Sequence, residues 1–242
     1  MRIMLILVLA ASAWGQMLQG IIGAQASSSA PTDSISYVNS ANLGGSTTTS
    51  FSASYTAGSG TNRLLVIAFA GDTLSGHDDI TGVSFNGVSA TFGGKRIDSD
   101  YRMLYVYYLL NPASGAHNVV VTCTNSHWID VIISEYAGVA QTGQLDVSTT
   151  ATTSGPNATA TVTTTSDYSW GVLLGGGDSG DTLDFLGGTN CTRRVNDTYY
   201  NLMMCDTNGP KHPAGSLSMT WHFANSSSHS MGSILLVFKA TS

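Results

Sequence analysis

The sequence predicts an all-β protein: a two-sheet antiparallel β-sandwich, jelly-roll-like, made of two Greek-key halves and preceded by an extended N-terminal arm. Three observations lead there. First, Tyr101 to Tyr136 alternates apolar runs with turn residues and shows no helical period. Tyr101–Leu110 is aromatic and apolar, Asn111-Pro112-Ala113-Ser114-Gly115 turns the chain, and His117–Thr124 is rich in β-branched residues. Asn125-Ser126-His127 reads as a second turn, after which Trp128–Tyr136 runs back. Second, the pattern recurs roughly 100 residues later, as an internal repeat would. Tyr199–Asp206, a turn over Gly209 to Gly215, Ser216–Phe223, a polar turn at Asn225–Ser230 and Met231–Phe238 follow in the same order. Third, Phe51–Thr56, Asn62–Gly71 and Asp72 are echoed by Thr159–Thr165, Ser169–Gly177 and Asp178. All sandwiches share strand spacing; the kept order of four segments is what favours two similar halves.

Taken in order, residues 1–26 read as a secretory leader. Arg2 gives a positive start, Ile3–Ala11 an apolar core, and Ala11-Ser12-Ala13 and Ala24-Gln25-Ala26 two small-x-small sites. The run is too short for an ordinary membrane span, so none is expected after processing. Residues 27–50 read as a Ser/Thr/Gly-rich arm or linker with one strand-like run, Ile35–Asn39. Fully extended, Trp14 to Gly45 covers roughly 100 Å. A domain of about 190 residues has a radius of gyration of only about 16 Å, so this arm is long enough to reach a neighbouring subunit. The sandwich is expected over 51–239, with halves at 51–138 and 157–239. Leu64–Ala70 is continuously apolar and predicts a central strand, as does Ile234–Phe238. Asn86-Gly87 between Val83-Ser84-Phe85 and Val88–Phe92 is the strongest hairpin signal. Residues 139–156 read as a polar crossover with one short strand at Leu145 and Val147.

Of the 242 residues only 10% are charged, and Ser, Thr, Gly and Asn fill the surface role. This composition suits a secreted or cell-surface β-protein. A net charge of −6 with few scattered cations argues against a nucleic-acid partner, which needs clustered Lys and Arg. Lys95-Arg96 and Arg193-Arg194 sit at matching places in the two halves and read as strand-edge guards. Of three cysteines, Cys191 and Cys205 flank an expected hairpin at Asn196-Asp197-Thr198 and are a disulfide candidate; Cys123, among valines, reads as a buried small hydrophobe. Asn157, Asn190, Asn196 and Asn225 each open an Asn-x-Ser/Thr glycosylation acceptor.

The segments TNRLLVIAFAG (61–71), ITGVSFNGVSAT (80–91), LYVYYLLNPASGAHNVVVT (104–122) and ISEYAGVAQTGQLD (133–146) resemble a family of β-sandwich domains of secreted bacterial and phage surface proteins. The resemblance covers 51–165, through an aromatic-Tyr-Leu run before an Asn-Pro turn and a Tyr-x-Gly-Val strand end. The architecture is also similar to protomers of extracellular filaments built from jelly-roll subunits with an exchanged N-terminal segment. Neither likeness implies catalytic residues.

Motifs with chemical meaning are few. Gly177-Asp178-Ser179-Gly180 departs from the serine-protease pattern at Asp181, and no base segment precedes it. Asp178, Asp181 and Asp184 are weak calcium candidates, with Asp72, Asp78 and Asp79 in the matching loop, but no calcium-loop spacing is present. The histidines have no metal-ligand spacing, and no cofactor or metal is expected. Asp130 and Glu135 have opposite parities and face opposite sheet surfaces, which opposes a paired-carboxylate glycosidase site. Tyr101, Tyr105, Tyr107, Tyr108, Trp128, Trp170 and Trp221 offer either a sugar-stacking platform or core. The expectation is a non-enzymatic subunit that polymerises with itself. Met17, Leu18, Ile21, Ile22, Ile35 and Tyr37 would form the arm added to a neighbour's sheet. A carbohydrate-binding adhesin module, with glycans as partner, is the alternative, and a glycosidase a more distant one.

Overall fold

A strand with one solvent face alternates apolar and polar residues, and one apolar at every position must be covered on both faces. Leu64 to Ala70 is of the second kind. In the computed structural model, which describes residues 34–72, 79–97, 102–177, 185–198, 201–223 and 229–241, every one of these side chains is buried. The described residues form antiparallel strands and no helix, so none is long and apolar enough to cross a membrane.

The first half contains β1 (Ser36–Ala57), β2 (Leu64–Asp72), β3 (Ile80–Phe85), β4 (Val88–Ser89), β5 (Thr91–Ile97), β6 (Arg102–Leu110) and β7 (Gly115–Ala137). They make one nearly closed sheet in the order β4-β3-β7-β2-β6-β5, with β1 along the other edge of β7. The long strand β7 shapes it. Its first part pairs with β3 from Val119 to Cys123, and its second with β2 from Ile129 to Tyr136. Between these parts the strand bends, folding one sheet into two layers. Asn86 and Gly87 both take positive φ, 50° and 74°, and close the β3–β4 hairpin with Phe85 opposite Val88.

The second half contains β8 (Leu145–Gly155), β9 (Asn157–Thr163), β10 (Trp170–Gly177), β11 (Phe185–Gly187), β12 (Thr192–Asp197), β13 (Leu202–Asp206), β14 (Ser216–Phe223) and β15 (His229–Phe238). Its connectivity matches the first half. β10 lies between β13 and β15 as β2 lies between β6 and β7; β12 pairs β13 as β5 pairs β6. β8 and β9 run along β15 and β14 as β1 runs along β7. Here the two layers are separate sheets, β12-β13-β10-β15-β8 and β11-β14-β9.

The side chains fall into three cores. Leu65, Ile67, Phe69, Phe85, Tyr105, Val121 and Val131 fill the inside of the first half. Leu173, Met203, Leu217, Trp221, Leu235 and Val237 fill the inside of the second. The third core joins the halves: Leu64, Val66, Val106, Ile132 and Tyr136 pack on Trp170, Val172, Leu174, Ile234 and Leu236. The described residues from Ser34 onward therefore stack four layers deep, with β2, the second part of β7, β10 and β15 inside.

Four expectations are corrected. The strands occupy three sheets about three cores rather than two sheets about one. Asn125-Ser126-His127 is not a tight turn but the polar corner of an uninterrupted strand, with Asn125 and Ser126 exposed and His127 buried against Asp79. The crossover at 139–156 carries an eleven-residue strand, β8. Within the supposed arm, residues from Ser36 onward belong to β1, paired to β7 from Ser36↔Ala137 to Ala57↔Gly115.

Candidate functional site

Chemistry on this scaffold depends on where its few charged side chains lie. Several of them are buried, and a buried charge must be paired or neutral. Arg63, just before β2, is buried. Its Nη1 donates to Glu135 Oε1 at 2.9 Å and to the Gly58 carbonyl; Nη2 reaches the Pro112 carbonyl and Ser114 Oγ at 3.2 Å. Glu135 Oε2 accepts from the Gly58 amide at 3.0 Å and the Tyr55 hydroxyl at 3.3 Å. This cluster ties the β1–β2 and β6–β7 connections to β7 and uses up the carboxylate. Burial, reinforced by Glu135, pushes the Tyr55 hydroxyl well above its ordinary range.

At the β7 corner His127 Nε2 lies 2.6 Å from Asp79 Oδ2, which also accepts from the Asn125 amide at 3.0 Å. Burial opposes ionisation of Asp79, but these hydrogen bonds outweigh it and hold its carboxyl below the usual range. Cys123 lies near this corner. Burial, then the Asp79 charge, push its thiol up, and Sγ donates to the Thr48 carbonyl at 3.4 Å. A raised thiol engaged as a donor is the opposite of an activated nucleophile.

The seam between the halves is built twice. Where β12 meets β1, the Arg194 guanidinium lies 4.2 Å from the Tyr37 ring centroid and binds both oxygens of Asp206, at 2.7 and 2.9 Å. Ser40 Oγ donates to the Arg194 carbonyl at 2.9 Å, and Asn42 Nδ2 to Asp197 Oδ2 at 2.6 Å. Where β5 meets β8, Arg96 Nη1 donates to the Ala151 carbonyl at 3.1 Å and to Thr152 Oγ1 at 2.5 Å. The two basic pairs thus cross the seam at equivalent places, Arg194 to β1 and Arg96 to β8.

Asp130 also faces this seam, and it has no comparable partner. It is 0% exposed, between Gly45 and Ala70 on the neighbouring strands. Neither carboxylate oxygen has a hydrogen bond of normal geometry. Burial, then the nearby Asp197 charge, push its carboxyl up to about 7, with only the Val131 amide acting the other way.

Outward, the chain shows hydroxyls. On the free face of β9 and β14, Thr159 pairs Thr220 and Thr161 pairs Ser218, each at 2.8 Å.

Cys191 and Cys205 are joined by a disulfide, with Cα atoms 5.2 Å apart. Asn157 and Asn190 are exposed, Asn190 Nδ2 donating to the Ser218 carbonyl at 3.0 Å, and Asn196 is half-buried. Ile35 is buried in the core between the halves and Tyr37 packs against it, so both belong to their own domain rather than being spare for a neighbour. Met17, Leu18, Ile21, Ile22, Asp178, Asp181, Asp184 and Asn225 lie outside the described residues. Tyr105, Tyr108, Trp170 and Trp221 are core residues, which removes them from any sugar platform. Asp130 and Glu135 do lie on opposite faces, Asp130 toward the seam and Glu135 at the Arg63 cluster inside the first half. Among the described residues no three His, Cys, Asp or Glu side chains gather as metal ligands. Sequence reasoning missed Arg63 and the Asp79–His127 pair. The only signal for Arg63 was one cation before an apolar run, and for its partner the one acid, Glu135, on the inward parity of β7.

No protein-family model matches this chain, and neither a curated protein nor a solved structure matches it.

Proposed function

We propose that this chain is a non-enzymatic structural subunit of an extracellular filament or surface layer, assembled from copies of itself through strand addition. Each half serves as a jelly-roll-like sandwich, and the residues before Ser34 supply the exchanged segment. The observation that carries this reading is the division of polar groups. The carboxylates Glu135, Asp206 and Asp79 are committed to internal partners, while among the described residues solvent meets hydroxyl-paired faces and strands that end their sheets. A strand edge offers main-chain donors and acceptors to another strand without needing a pocket.

The carbohydrate-binding alternative would need exposed aromatic faces, and the tryptophans at 170 and 221 are enclosed. The test is electron microscopy and sedimentation of the mature protein, with and without the residues before Ser34. Filaments that vanish on truncation, leaving a folded monomer, are expected. A full-length protein that stays monomeric at millimolar concentration overturns the reading.

A further inference from the structure

The layers that meet at the seam are fastened unevenly along its length. Register sets the order: Tyr37 of β1 lies opposite Tyr136 of β7, Ser40 opposite Ser134, Asn42 opposite Ile132 and Gly45 opposite Asp130. The first station is anchored, because Arg194 of β12 lies against the Tyr37 ring and grips both oxygens of Asp206. The second carries the Ser40 bond to the Arg194 carbonyl, and the third the bond from Asn42 Nδ2 to Asp197 Oδ2. The fourth is Asp130, fully enclosed, with no normal hydrogen bond to either oxygen. Such a carboxyl stays in place as the neutral acid, since an ionised one must find water or a partner. Among the described side chains the groups around it supply neither. β1 and β2 set Gly45 and Ala70 beside it. β12 brings Asp197, whose charge, after burial, pushes the Asp130 carboxyl up to about 7. β13 brings Leu202, opposite Asp197, and the acid of that strand, Asp206, is held by Arg194 at the other end. Asp72 and Arg102 are register partners where β2 ends and β6 begins, and Arg96 is turned to β8.

We propose that the Asp130 end of the seam is a proton-operated latch, closed while Asp130 carries its proton and open once that proton has left to solvent. On opening, the Asp197 end of β12 parts from β1 and β7, and water reaches the carboxylate. The Asn42–Asp197 bond is the one that gives way. The grip of Arg194 on Asp206 and on the Tyr37 ring stops the parting, so the far end of the seam stays shut. Local opening costs less than unfolding, because it breaks a side-chain hydrogen bond and no strand ladder. Once both acids are ionised, the like charge of Asp197 drives the same movement. The latch belongs to a single copy of the chain and stands whether or not copies assemble.

Hydroxyl-radical footprinting of the full chain, read by mass spectrometry, tests this. Leu202, buried in the seam opposite Asp197, reports the latch; Met219, inside the second half, reports unfolding. From pH 5.5 to pH 8.5 the ionised fraction of a carboxyl titrating at about 7 rises about thirtyfold, and Leu202 oxidation should rise by about tenfold with Met219 unchanged. D130N, neutral at every pH, should keep Leu202 protected throughout. D197N retains an acceptor for Asn42 but removes the like charge, and should move the midpoint to lower pH. Leu202 oxidation equal at both pH values in wild type overturns the proposal. So does a rise that D130N retains, or a D197N midpoint that stays in place. Met219 rising in step with Leu202 overturns it as well, since that is unfolding and not a latch. Circular dichroism at pH 5.5 checks that each variant is folded, and D197N decides alone where D130N is not.

Discussion

Replacing Asp130 by Asn should stabilise the protein above neutral pH and do almost nothing in mild acid. Asp130 is enclosed between the halves, its carboxyl raised from 3.8 to about 7 by burial and then by Asp197. A carboxyl whose folded pKa lies above its unfolded value binds its proton more tightly when folded. Its stabilising contribution is complete below about pH 4 and is lost as pH rises toward 7. The raise of ~3 pH units corresponds to at most about 4 kcal/mol. Relaxation of the seam and the unpaired amide of Asn lower the expected gain to about 2–3 kcal/mol. The assay is urea unfolding of both proteins at pH 4.5 and pH 8, comparing differences. Wild type alone does not suffice, because Asp79 and Asp146 run the other way. Hydrogen bonds from His127 and the Asn125 amide, and from Thr165 and Ser166, hold those two low against burial, so their contribution is present above their unfolded values and lost in acid. An Asn-minus-wild-type difference equal at both pH values, or larger at pH 4.5, refutes the reasoning.

Arg63→Met should cost about 3–5 kcal/mol, because it strips Glu135 of its buried partner; the shift of the urea midpoint measures it. Removing the disulfide with C191A/C205A frees a loop of about 15 residues, and a loss of about 3 kcal/mol is expected in the same assay. Cys123 should react with iodoacetamide only as fast as the protein opens, so labelling followed by mass spectrometry should accelerate in urea in step with unfolding; rapid labelling in buffer would contradict its burial.

The parts of this fold that are legible in sequence are those set by local chemistry. The Asn86-Gly87 hairpin needs two residues that tolerate positive φ, and it has them. The repeat is legible because the same order of strands must be encoded twice. The corner at Asn125–His127 is not, because a polar stretch inside a long strand and a true turn call for the same residues. Beyond the strand-like run at Ile35–Asn39, residues 40–50 escape notice because an edge strand half-covered by hydroxyl side chains lacks strong alternation. The four-layer stack did leave a mark. In a two-layer sandwich every strand has a wet face, yet Leu64–Ala70, Trp170–Leu174 and Ile234–Phe238 are apolar at both parities. What no local pattern shows is pairing at long range: Arg63 and Glu135 are separated by 72 residues, and Arg96 meets Ala151 across 55.

The same stack explains why the seam is where this molecule's chemistry is concentrated. An inner layer has no face that water can reach, so each polar residue on it needs a partner within the protein. Glu135 has Arg63, Asp206 has Arg194, and Ser233 takes the Trp221 indole N–H at 2.8 Å. Asp130 alone among these carboxylates keeps both oxygens without a normal hydrogen bond. A nearby arginine would have neutralised it, and the seam has arginines; but Arg194 is held by Asp206, Asn208 and the Tyr37 ring, and Arg96 is turned to β8. Of the two cations that cross the seam, Arg194 is thus spent on Asp206 and Arg96 on the Ala151 carbonyl and Thr152, which leaves the neutralising of Asp130 to a proton.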